Sequence, residues 1–287
     1  MDNIYMLVIR TENQTKTIKI SDELFQKLYD SICILDEFSQ LTFLGNSYLK
    51  AKEDFLDYDF SQSNVREIDI FSMFLNALEA IATNINLWNA YLKRRYHDDP
   101  DIFPQQSSAK DRKSCFALKD SAYYDKNVEY VVAKCLRNMI VHSGKPYSSI
   151  IYPDDGGRMF IITKEVLFTE NNTNASAKKI INASGKDYFD VADVITKAFG
   201  ILEELNQYIF GIILRKEWIR FYSARLTTLE ILGTDWQRAC LAWLNPQYPP
   251  EHLLGLNQKD FSKHAFNSIG SIAAQIHMNM NLTDIME

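Results

Sequence analysis

Apolar residues recur at intervals of three and four over unusually long stretches of this chain. In residues 66–96, Ile70, Phe71, Phe74, Leu78, Ile81, Ile85, Trp88 and Leu92 form one stripe. The stripe ends in Lys93-Arg94-Arg95, cations that suit a helix C-terminus. Residues 188–232 make the longest helical stretch, with Gly200 and Gly211 as the positions where it can kink. Residues 126–142 carry Val128, Val131, Val132, Cys135, Leu136, Met139 and Ile140, and the pattern stops at Ser143-Gly144-Lys145-Pro146. Ser21 before Asp22-Glu23 is an N-cap followed by an acidic first turn, and predicts helix to about residue 38. Further helix is expected over 39–60, broken at Gly45-Asn46, and over 234–244 and 259–281. The predicted class is mainly α.

Two short runs break this pattern at the start. Residues 4–10 and 15–20 are β-type and flank the polar Thr11-Glu12-Asn13-Gln14, which predicts a hairpin. Residues 158–163 and 165–169 read as two further strands, available to pair with that hairpin. Residues 97–125 read as a long connection and 170–186, rich in Asn, Ser, Thr and Ala, as a loop. The expected organisation is a hairpin at 1–20 packed on a helical domain at 21–232, with a C-terminal helical extension at 233–287.

The 287 residues suffice for a sizeable core, and 46% hydrophobic with 24% charged residues are ordinary globular values. A net charge of −6 argues against holding a long nucleic acid by charge alone, and leaves room for a small basic pocket that handles one phosphate. Cys33, Cys115, Cys135 and Cys240 form no zinc-ligand spacing and read as reduced core residues. No metal or cofactor is expected. Met1-Asp2-Asn3-Ile4 has no basic stretch followed by an apolar run, and the apolar stretch Val194–Leu214 is interrupted by Lys197, Glu203 and Glu204. A cytoplasmic location without a membrane span is therefore expected.

One segment carries chemistry: Arg137-Asn138-Met139-Ile140-Val141-His142. On a helix Asn138 and His142 share a face, and Arg137 lies about 100° round from Asn138. A guanidinium presents a fixed fork of donors that matches two phosphate oxygens. An imidazole exchanges a proton near neutrality. An amide can hold the imidazole tautomer or a phosphate oxygen. Together they can support attack of a ribose 2′-hydroxyl on its neighbouring phosphate, with His142 as base or acid and Arg137 steadying the charge that builds on phosphorus.

This segment resembles the R-x4-6-H signature of the HEPN superfamily (higher eukaryotes and prokaryotes nucleotide-binding). Four residues separate Arg137 from His142, a polar residue follows the arginine, and a glycine-containing turn follows the motif. The resemblance covers the motif and the helical layout from about residue 66 to 230. It implies a HEPN-like helical bundle acting as a metal-independent endoribonuclease. It also implies a homodimer in which both motifs face one cleft, with toxins, antiviral defence and RNA processing as the associated biology. An inhibitory or regulatory partner protein fits that setting. Glu79 is placed to orient Arg137, Lys145 to touch RNA backbone and Tyr147 to stack on a base.

Each of these residues also has an architectural reading. His142 suits the negative end of its helix, Arg137 a surface ion pair, Glu79 a salt bridge at the core edge, and Tyr147 a loop anchor. Those readings sum to a non-catalytic helical module that binds a nucleotide or regulates a partner. A third possibility, a carboxylate pair at Asp98-Asp99 or Asp154-Asp155, falls in turns marked by Pro and Gly.

Overall fold

The computed structural model describes residues 5–11, 14–60, 66–104, 113–143, 146–154, 157–169, 173–244 and 256–260. Side chains are described throughout these except at 38–46, 141–143, 169, 214, 218, 235–237, 243–244 and 256–260. The expected helix at 259–281 lies beyond Asp260 outside the described residues. The chain is mainly α-helical, with two small antiparallel sheets. It divides into two units, one formed by 1–43 with 212–287 and the other by 44–211.

The first unit is built on the four-stranded order β2-β1-β6-β7. Strands β1 (Tyr5–Arg10) and β2 (Thr15–Ile20) form the expected hairpin, in register Tyr5 to Ile20 through Arg10 to Thr15. Ser21 caps the long helix α1 (Asp22–Leu56), accepting from the Leu24 N–H at 3.2 Å. Helix α1 runs unbroken past Gly45-Asn46, where a break was expected. Leu7, Ile20, Phe25, Leu28, Ile32 and Leu35 pack with Ala224, Leu232, Ala239 and Leu241, and the Tyr5 ring stacks on Phe25 at 4.0 Å.

The helix expected at 234–244 is absent. A 3-10 turn (Gly233–Arg238), opening on Gly233 at φ 54°, leads into β6 (Ala239–Leu244), which pairs antiparallel with β1. Strand β7 (Leu256–Asp260) pairs on its other side. Where it is described, the extension after residue 232 is thus a 3-10 turn and two strands. Ala-Cys-Leu-Ala-Trp-Leu is a short apolar run whose period distinguishes neither helix nor strand. The open edge of β1, far away in sequence, decides it.

The second unit holds the motif. Helices α2 (Glu67–Tyr96), α3 (Cys115–Lys126) and α4 (Val128–Ser143) pack together. By length and composition α2 meets the requirement for crossing a membrane, and Ile70, Phe74, Ala77, Leu78 and Ile81 on it are buried within the protein. Rings fill the unit's interior: Phe60 stacks on Phe74 at 5.0 Å, and Phe74 meets Phe160 at 5.6 Å.

Other expectations fail in this unit. The connection at 97–125 contains α3, started by the Ser114 side chain, which accepts from the Ala117 N–H. Residues 164–169 form the short helix α5 (Lys164–Thr169) instead of a strand; the Thr163 hydroxyl accepts from the Val166 N–H and turns the chain. The expected loop contains α6 (Ala175–Ala183), capped by Asn174 and anchored by buried Ala177 and Ile181 one turn apart. The unit's sheet is β3 (Ser149–Ile151), β4 (Met159–Thr163) and β5 (Tyr188–Asp190), in that order. Strand β4 pairs with β3 and β5, not with the N-terminal hairpin. Helix α7 (Val191–Leu232) follows β5 and belongs to both units in turn.

Candidate functional site

Helix α4 places the motif by burying its other side. Tyr130, Val131, Val132, Ala133, Leu136 and Met139 are inside, so Lys134, Arg137 and Asn138 fall on one outward-facing edge at helical spacing. That edge faces α2. Between the two helices lies an open cleft of about 220 Å³, lined by Ile81, Ala82, Ile85 and Asn86 from α2 and by Ala133, Lys134, Arg137 and Asn138 from α4. It is smaller than the roughly 300–1,000 Å³ of pockets that enclose a whole cofactor, so a single phosphate or ring fits it better than a longer ligand.

The two cations of the cleft are held differently. Lys134 donates to both carboxylate oxygens of Asp120 at 2.8 Å, and the Tyr130 hydroxyl donates to the same carboxylate at 2.6 Å. Lys134 also sits 4.5 Å from the Tyr130 ring centre. Burial, and then the Asp120 charge, hold the Tyr130 phenol far above its ordinary range, so it stays protonated and donating.

Arg137 has looser company. Its Nε lies 3.7 Å from Glu79 Oε1, an ion-pair distance too long for a hydrogen bond. The Nη1 donates to Asn138 Oδ1 at 3.5 Å, at the limit of such a bond. Among the described residues the Nε is buried without a hydrogen-bond partner, and the side chain as a whole is 36% exposed. The buried Nε faces Glu79, so the donors that such a guanidinium can offer an incoming anion are those of its exposed part.

The other named residues divide. Glu79 and Asn138 are beside Arg137, as the sequence suggested. His142 lies in the last turn of α4, one turn beyond Asn138, and its side chain is outside the described ones. Lys145 lies outside the described residues. Tyr147 does not line the cleft: its ring packs on Phe160 at 5.1 Å and near Phe74 at 6.3 Å. Burial, with Glu67 beside it, raises the Tyr147 phenol above its usual value.

Sequence reasoning missed Lys134, Ile81, Ile85 and Asn86 as cleft residues. Lys134 was legible, at three residues before Arg137 and four before Asn138 on a helix already recognised. The α2 residues depended on which helix packs against the motif, which no local spacing reveals. Against protein-family models, curated proteins and solved structures, the chain finds no match. Function must therefore be argued from this geometry.

Proposed function

We propose that the protein is a metal-independent RNA endonuclease of the HEPN type, acting as a homodimer in which two copies of α4 face one scissile phosphate. The observation that carries the reading is the incompletely bonded Arg137 guanidinium at the α2–α4 cleft, with Asn138 adjacent, on the helix that carries His142 one turn later. One His142 takes the proton of the ribose 2′-hydroxyl. The 2′-oxygen forms a bond to phosphorus, the bond from phosphorus to the 5′-oxygen breaks, and the second His142 protonates that oxygen. Arg137 stabilises the added charge on the phosphorus oxygens. The products are a 2′,3′-cyclic phosphate and a 5′-hydroxyl, and a toxin or antiviral effector is the setting such an activity suits.

Purified protein should cut single-stranded RNA in EDTA and leave those ends. Arg137→Ala and His142→Ala should each abolish cutting while circular dichroism stays unchanged. Cutting retained in both variants overturns the proposal.

Glu79 and the net charge of −6 favour a second reading, a helical module without catalysis. A carboxylate beside the guanidinium already balances its charge, as in an architectural ion pair. In that case His142→Ala is silent in every assay, and Arg137→Ala alters only binding of a nucleotide or protein partner.

A further inference from the structure

Helix α7 carries two sets of apolar residues in the first unit, one buried and one exposed. Ile213, Phe221, Ala224, Thr228 and Leu232 are buried. On another side, Ile219 is 73% exposed, Tyr222 42% and Leu226 39%. Arg215 and Glu230 are exposed as well. At about 100° per residue, Arg215, Ile219, Tyr222, Leu226 and Glu230 fall within an arc of about 80° and span about 22 Å. An amphipathic helix normally turns a polar face to water. Here the middle of the outward face is apolar, with a cation at one end and a carboxylate at the other.

That order is symmetric about the point between Tyr222 and Ser223. Rotation by 180° about an axis through that point, perpendicular to the helix, exchanges Ile219 with Leu226 and Arg215 with Glu230. A two-fold interface requires a surface complementary to itself under such a rotation. We propose that this face of α7 is an antiparallel self-association surface whose occupant is α7 of a second copy. Ile219 of each chain packs on Leu226 of the other, Tyr222 covers the centre, and Arg215 meets Glu230 at both ends. A parallel arrangement would set like charges side by side, so the charges select the antiparallel one.

The pairing uses neither Arg137 nor His142 and stands or falls apart from the nuclease reading. Should that reading hold, a dimer joined through α7 keeps two motif-bearing units at high effective concentration. One helix face is small against the 1,200–2,000 Å² that stable interfaces bury, so the association is expected in the micromolar range and to weaken with salt.

Sedimentation velocity tests the register through charge reversal. Arg215→Glu sets carboxylate against carboxylate at both ends, Glu230→Arg sets guanidinium against guanidinium, and each should weaken the dimer by about tenfold at low salt. The double variant Arg215→Glu/Glu230→Arg recreates both pairs and should return to within about twofold of the wild type. Leu226→Glu should leave only monomer, whereas Arg137→Ala and His142→Ala should leave the dimer intact. All the α7 positions are exposed, so the variants should remain folded, which circular dichroism checks. Three outcomes overturn the inference: a wild type that is monomeric at about 100 μM, with the face open or covered by another part of the chain; a double variant no better than the single ones; or a dimer that Leu226→Glu leaves unchanged.

Discussion

Two ion-pair sites on α4, one turn apart, differ in how completely their cations are bonded. At the α3–α4 contact, Lys134, Asp120 and Tyr130 satisfy one another with hydrogen bonds of 2.6–2.8 Å. The lysine and aspartate side chains are 26% and 15% exposed. At the α2–α4 cleft, Arg137 meets Glu79 at 3.7 Å, the partners are 36% and 44% exposed, and the Nε has no hydrogen bond among the described residues. Both cations lie on the same edge of the same helix. The first joins α3 to α4 through short hydrogen bonds, and the second leaves its guanidinium incompletely bonded.

The contrast breaks most decisively at Arg137. Arg137→Ala should reduce RNA cutting by about 10³-fold or more, the loss expected when one charge-stabilising group is removed, while stability moves by no more than about 0.5 kcal/mol. Cleavage kinetics beside a denaturant titration would show both. A marked loss of stability would mean that the two sites are alike after all.

Asp120→Ala should do the reverse. It strands a largely buried lysine and a buried phenol, and should cost about 2–4 kcal/mol in urea unfolding while RNA cutting falls far less than in Arg137→Ala. Glu79→Gln sharpens the comparison by removing the charge that Arg137 now faces. An ion pair this exposed contributes at most about 1 kcal/mol, so inorganic phosphate titrated by NMR should bind up to about fivefold tighter. Weaker binding would instead make Glu79 a positioning residue.

The smallest effect concerns a third ion-pair site, at the other end of α4. Burial pushes the Glu129 carboxyl up, but hydrogen bonds from Lys186 at 2.8 Å, the backbone and Lys197 at 3.2 Å outweigh it and hold the group at about 2. A lowered carboxyl contributes stability above its unfolded value near 4.5, and that contribution is lost as pH falls toward 2. Glu129→Gln should thus be less stable than wild type by about 1 kcal/mol at pH 7, after screening of the exposed lysines. Denaturant midpoints should converge by about pH 2. A gap that persists there would trace the effect to packing.

The parts of this fold visible in the sequence were those where one element alone carries the signal. Helices α2 and α4 each repeat an apolar stripe for several turns, and Arg137 and Asn138 could be set on a polar edge from spacing alone. Helix α6 has only Ala177 and Ile181 as anchors, too few to stand out from its polar neighbours. Helix α3 buries only Cys115 and Phe116. Strand β6 was misread because its partner β1 lies more than two hundred residues earlier, and local period carries no trace of such pairing. The same limit hid Ile81, Ile85 and Asn86, since a cleft between helices belongs to neither sequence segment by itself.

The central position of β1 between β2 and β6 has a consequence for synthesis. Strands β1 and β2 leave the ribosome together, yet the other neighbour of β1, residues 239–244, follows on the order of 10–45 s later at bacterial-to-eukaryotic elongation rates. All of 44–211 emerges in that interval. Until then one edge of β1 has no strand partner, and a chaperone that shields strand edges would act on this chain during that window.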